Sequence, residues 1–311
     1  MALIGLGNKN IKLILFGGKG GVGKTTCAVS TSIFLSKNLK TLLISTDPAH
    51  SLSDNLGVEI GDEITEVNEI NNLSAIEVNA EKAFSEFKIL HENEIKKILD
   101  NSTYLDKEDI DSLFSLPVPG IDEIMGFKII VDLIEESKFE KYVVDTAPTG
   151  HALRLLTFPD LLNDWIKVIA KMRWKYRYMV ESFSGKYNPD EGDDFLLMMK
   201  KTINRIKALL LDDLRTEFIV VTIPEYMGVL ETERMLKSLS NYGITVKQIV
   251  INNVLNSKGC SFCNERRKEQ EKYIKWITNK NNLKPTLTSL QPHEVRGIRR
   301  LSNFMEALCL N

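Results

Sequence analysis

Residues 16–26, FGGKGGVGKTT, decide how this chain folds. Gly18, four further residues, and then Gly23, Lys24 and Thr25 complete the phosphate-loop pattern. Gly18, Lys19, Gly20, Gly21, Val22, Gly23, Lys24, Thr25 and Thr26 are therefore the first candidate binding residues. A backbone wrapped around a phosphate needs glycine, because it must turn sharply and approach closely. Its N–H groups and the start of the following helix then face the anion. Lys24 is expected on the β- and γ-phosphates and Thr25 on Mg²⁺. The flanks agree: 11–16 (IKLILF) reads as a buried strand and 24–37 as a helix.

Outward from the loop, the second strand is expected at 40–46, delivering Asp47 at its carboxyl end, followed by a turn-like polar segment, 47–51. That edge is where open α/β sheets bind ligands. Further strands are expected at 73–79, 141–145, 216–223, 245–252 and 285–290. Helices are expected at 80–99, 121–136, 228–240, 264–279 and 298–309. The alternation implies an α/β fold, a mostly parallel sheet with helices on both faces. Residues 161–213 break the rhythm: they contain no strand candidate and hold four of the nine methionines. They read as a helical insertion with a polar break at 184–194, either an ordinary subdomain core or a surface for varied apolar partners.

The strand 141–145 ends in Asp145, and DTAPTGH (145–151) follows. Asp145 could hold Mg²⁺ through a water, Asp47 could orient the attacking water, and Thr146 and Thr149 could sense the γ-phosphate. Turn or helix capping is the plainer role open to either aspartate. Lys19 sits too near the start of the loop to serve its own phosphates, and could supply charge to a neighbour's nucleotide across a two-fold axis. Cys260 and Cys263 form one C-x-x-C. They could be half of a four-thiolate zinc site on a dimer axis, a redox pair, or a structural pair. Cys27 and Cys309 read as core and inert. The guanine-selecting Asn-Lys-x-Asp pattern is absent. Asn252 could pair with adenine N6 and N1 or N7, with Pro292, Glu294 and Val295 in a loop over the ring.

The whole chain has 311 residues, 43% of them hydrophobic, and a formal net charge of -2. It can bury a large core, and no overall field selects nucleic acid. Four cysteines are too few for a disulfide scaffold. The start lacks a signal-peptide cleavage pattern, and no apolar run reaches about 18 residues. A soluble, cytoplasmic protein is expected.

Three motifs, GGKGGVGKTT, STDPAHS at 45–51 and DTAPTGH at 145–151, together resemble one family. It is the deviant Walker A (SIMIBI-class) P-loop ATPase family of the arsenite-pump ATPase and the Get-pathway targeting ATPase. Within it the chain is most similar to archaeal homologues of the single-copy targeting form. The resemblance implies one P-loop ATPase domain over 1–311, interrupted by a helical client-binding subdomain from about 80–135 and 161–213. It implies a cytoplasmic homodimer, with room for a dimer of dimers, that closes on ATP and opens after hydrolysis, meeting the membrane transiently. The clients implied are tail-anchored proteins, held by their transmembrane helices in a composite apolar groove. Lys19 becomes the trans-acting lysine, Asp47 the water-activating residue and Asp145 the magnesium-side carboxylate. Asn252, Pro292, Glu294 and Val295 become adenine contacts, and Cys260 and Cys263 an intersubunit Zn²⁺ pair. An arsenite-stimulated pump subunit is the alternative, although 119–127 and 161–172 carry no cysteine. A partition-type or nitrogenase-iron-protein-like role fits less well. The basic residues at 167–177 alternate with apolar ones, and one C-x-x-C does not supply separated cluster ligands.

Overall fold

The computed structural model describes residues 3, 5–47, 51–94, 121–146, 181–182, 191–256, 259–281 and 283–309. Among them the strands are β1 (Leu13–Gly17), β2 (Thr41–Ser45), β3 (Thr65–Glu66), β4 (Leu73–Glu77), β5 (Lys141–Asp145), β6 (Thr216–Thr222), β7 (Val246–Val254) and β8 (Lys284–Ser289). The helices are α1 (Lys24–Ser36), α2 (Ser51–Leu56), α3 (Ala80–Leu90), α4 (Ile121–Glu136), α5 (Glu191–Leu210), α6 (Tyr226–Asn241), α7 (Ser261–Asn281) and α8 (Ile298–Cys309).

The strands form one sheet in the order β3-β4-β2-β5-β1-β6-β7-β8. Every pairing is parallel except β3 with β4. β1, which carries the phosphate loop, lies between β5 and β6. Its residues are buried on both faces, which is why it reads as an unbroken apolar run. Alternation then assigns the faces. Ile14, Phe16, Leu43, Ala75, Val143, Ile219 and Val221 join one core with residues of α1 and α8. On α8, Leu301, Phe304, Met305 and Leu308 recur at helical spacing and are buried, and Ser30 of α1 donates to the Leu301 carbonyl at 3.2 Å. On the other face, the Tyr142 hydroxyl donates to the α4 carbonyl of Leu133 at 2.8 Å.

Two compact units divide the chain. One comprises Met1–Asn79, Asp132–Leu153 and Leu209–Asn311; the other comprises Ala80–Val131 and Arg154–Ala208. The first holds the sheet. In the second, a ring cluster joins α3 to α5: Phe195 lies 5.9 Å from Phe87 and 5.2 Å from His91, centroid to centroid. α5 buries Leu196, Met199, Ile203 and Ile206.

Three local features differ from expectation. The polar break at 184–194 ends sooner, because α5 begins at Glu191; its acidic first turn, Glu191, Asp193 and Asp194, favours a helix amino end. α2 follows the segment expected to be only turn-like. Its amino end is satisfied from a distant strand, as the Glu77 carboxylate accepts from Leu52 and Ser53 N–H at 2.8 and 3.1 Å. β3 is a two-residue edge strand, too short for alternation to reveal. The end of the helix expected at 80–99, from 95 on, and most of the first half of the expected insertion, 161–180, lie outside the described residues, as do 48–50 and 147–151.

Candidate nucleotide site

β1, β2, β5, β7 and β8 point their carboxyl ends the same way, so Gly17, Ser45, Asp145, Asn252 and Ser289 share one sheet edge. The phosphate loop starts there. At Gly18 a side chain would begin 2.2 Å from the Val221 carbonyl, so only glycine lets the loop cross β6 this closely. Gly23 caps α1 in the left-handed region, at φ 94°. Lys19, Gly20 and Gly21 are exposed, while Val22 is buried.

Lys24 is 6% exposed, and its amine donates back to the Lys19 carbonyl at 3.2 Å. Burial pushes its pKa below the ordinary lysine value, and the charges of Asp145 and then Asp47 pull it up again. A buried ammonium at the mouth of a glycine loop suits a polyphosphate, which supplies the charge that water cannot.

The Thr25 hydroxyl donates to Oδ2 of Asp145 at 2.6 Å. Asp145 is fully buried. A hydroxyl and a carboxylate are hard oxygen donors, and Mg²⁺ takes such groups together with phosphate oxygens and water. The pair therefore fits Mg²⁺. Asp47 is half-buried, and its N–H donates to Ser45 Oγ at 3.1 Å. Thr146 turns inward, with its hydroxyl on the Phe16 carbonyl at 2.7 Å. Thr149 lies outside the described residues.

Asn252 is buried rather than facing solvent. Pro292 and Glu294 are exposed, and Val295 packs partly against the main core. The loop carrying them is tied to α2. Arg296 donates to the Asp54 carbonyl at 2.6 Å, and the Gly297 N–H donates to the Asn55 carbonyl at 2.8 Å. Sequence reasoning missed this clamp and Glu77; the one signal was an acidic residue closing an otherwise apolar strand.

The Cys260 and Cys263 sulfurs lie 3.5 Å apart, and neither cysteine is in a disulfide. The backbone N–H and thiol of Cys263 lower the pKa of Cys260 and favour its thiolate. A tetrahedral zinc with bonds of about 2.3 Å spaces its sulfurs by about 3.8 Å, so the pair fits half of such a site. Among the described residues no group of three or more His, Cys, Asp or Glu side chains gathers to hold a metal. Cys27 and Cys309 are buried, and burial pushes the Cys309 thiol up to about 12 and the Cys27 thiol higher.

Residues 11–310 match the anion-transporting ATPase family. The chain belongs to this family. Among relatives of this ATPase, the ATPase ASNA1 homolog 1 of Paramecium tetraurelia is 36% identical, over 97% of this chain and 94% of its own length. The ATPase get3 of Pyrenophora tritici-repentis and the ATPase GET3 of Mycosarcoma maydis are each 35% identical, over 97% of this chain and 92% of their own. ATP hydrolysis is the family's reaction and the reaction of this chain. No helix among the described residues is long and apolar enough to cross a membrane.

Proposed function

We propose that this ATPase is a homodimeric carrier that holds the C-terminal transmembrane helix of tail-anchored proteins in an apolar groove and releases it when hydrolysis opens the dimer. The observation that carries the reading is apolar exposure within the helical unit. Ile89 and Leu90 on α3 are 75% and 73% exposed, and Leu197 on α5 is 51% exposed. Water disfavours such side chains, and an apolar helix would cover them at a gain of roughly 25 cal/mol per Å². Met199 and Leu196 are buried within the single chain and do not count toward the groove.

In this reading Asp47 activates water, and Lys19, exposed at the loop's outer side, reaches the partner's nucleotide. Thr25 and Asp145 serve Mg²⁺ and stabilise the charge that builds on the leaving phosphate. Asn252 with Pro292, Glu294 and Val295 surrounds the adenine. Cys260 and Cys263 of two chains share one Zn²⁺. The carrier is cytoplasmic and meets the membrane only to deliver. ATP favours the closed state, and client affinity differs between closed and open states; without that difference the nucleotide would control nothing.

The test is co-expression with a chain ending in a single transmembrane helix, followed by co-purification with and without ATP. Recovery of the chain with ATP, lost when its terminal helix is deleted, supports the carrier. The anion-transporting family description favours one other reading, an arsenite-stimulated pump subunit. That reading predicts faster ATP turnover on adding arsenite and no recovery of the helix.

A further inference from the structure

Glu77 ends β4 as a charged residue after four apolar or small ones, yet it is only 5% exposed. A carboxylate taken out of water requires donors. Its Oε1 has two, the backbone N–H groups of Leu52 and Ser53 at 2.8 and 3.1 Å. Bonds to an ionised acceptor are about twice as strong as neutral ones. They grip the first turn of α2, whose side chains Leu52 and Leu56 are buried in the main core.

The backbone of Glu77 is fixed as well. In the parallel ladder of β2 with β4, Glu77 lies beside Ser45. The Val78 N–H donates to the Ser45 carbonyl at 2.9 Å, and the Glu77 N–H donates to the Gly61 carbonyl at 2.8 Å. The chain therefore leaves β2 beside Glu77 and meets the same residue again at Leu52. Residues 46–51 lie between those two points, Asp47 among them. A short segment tied at both ends has fewer conformations to sample. Asp47 stands two positions from the strand end, with its N–H on Ser45 Oγ at 3.1 Å.

We infer that Glu77 is a positioning residue for hydrolysis: by gripping the amino end of α2 beside the end of β2, it closes the segment that carries Asp47 and sets where that carboxylate stands. The inference rests on the reading of Asp47 as the water-activating residue and not on the client. Misplacing a reacting group by about 1 Å costs up to about a hundredfold in rate. The phosphate loop holds the nucleotide with groups of its own, so the loss falls on kcat and not on binding.

The test is a cycle of substitutions. Single-turnover rates, kcat and KM for ATP, and melting temperature are measured for wild type, Glu77→Ala, Glu77→Gln, Asp47→Asn and the two double variants. Glu77→Ala should lower kcat roughly tenfold to a hundredfold with KM changed less than about twofold. Glu77→Gln keeps an oxygen for both N–H groups without the charge, and should lose about threefold to tenfold. In the Asp47→Asn background either substitution should change the residual rate less than about twofold, because the group being positioned is already disabled. An equal loss with and without Asp47 would overturn the inference. So would an unchanged kcat with a raised KM or a lower melting temperature, the mark of a merely structural residue. Should Glu77→Ala fail to fold, the nearly isosteric Glu77→Gln makes the same comparison. Hydrolysis by Asp47→Asn at the wild-type rate would instead remove the water-activating reading itself, and the inference with it.

Discussion

The Thr25 hydroxyl and the Asp145 carboxylate meet at 2.6 Å although 120 residues separate them. Parallel pairing of β1 with β5 brings them together, since it sets Phe16 beside Asp145 at the sheet edge. Replacing either oxygen donor should disable Mg²⁺ use more than nucleotide binding. Thr25→Val and Asp145→Asn should each lower Mg²⁺-dependent ATP turnover on the order of a hundredfold. Binding of ATP in chelator should change far less. Turnover and chelated binding that fall together would contradict the metal assignment.

Lys19 is exposed, and its carbonyl, not its amine, meets Lys24. If its charge acts on the partner's nucleotide, Lys19→Ala should bind ATP normally and lose most hydrolysis, roughly a thousandfold by analogy with other charges supplied in trans. Mixed dimers with one intact lysine should retain one working site. Steady-state turnover at the wild-type rate in the all-mutant dimer would refute the role.

The sulfurs of Cys260 and Cys263 predict a metal-dependent assembly. Cys260→Ser with Cys263→Ser should abolish bound zinc, measured by elemental analysis, and shift the dimer toward monomer in light scattering without nucleotide. Chelator treatment of wild type should do the same. Because thiolates bind the metal, lowering the pH should also weaken it. An unaltered dimer after zinc removal would contradict the shared site.

Lys141 lies at the opposite sheet edge, 1% exposed, with its amine on the Asn8 and Ile11 carbonyls. Burial, and then the neighbouring charge of Lys12, lower its pKa to about 8. The unfolded lysine therefore holds its proton more tightly than the folded one, and stability must rise with pH between about 8 and 10.5. Wild-type stability measured against Lys141→Met by denaturant unfolding should climb across that window by on the order of 2–3 kcal/mol. A flat difference would show that the amine keeps its proton inside the fold.

Much of this fold could be read from the chain because its buried strands have short apolar centres. LILFG, TLLIS and KYVVD are each buried throughout, so composition alone marks them. The phosphate loop was equally plain, since its glycines answer to local backbone needs. What stayed hidden depends on distant partners. α2 is capped by Glu77 from β4, and its far end is tied by Arg296. Asn252 is legible in the sequence only as an amide near the end of a strand. Its inward turn comes from a bulge held by Gln270, eighteen positions away, and no local pattern announces that. The limit of α5 was misjudged because SGKYNPDEGDD combines turn residues with an acidic helix start.

Control of an exposed apolar surface by nucleotide is the central claim, and client affinity in the two nucleotide states measures it most directly. A fluorescent transmembrane-helix peptide is titrated with the dimer trapped by a non-hydrolysable ATP analogue and again with ADP. The account predicts binding at least about tenfold tighter in the trapped state, a coupling of about 1.4 kcal/mol or more. It also predicts loss of that binding when Ile89, Leu90 and Leu197 are made polar. Equal affinity with the ATP analogue and with ADP would contradict it.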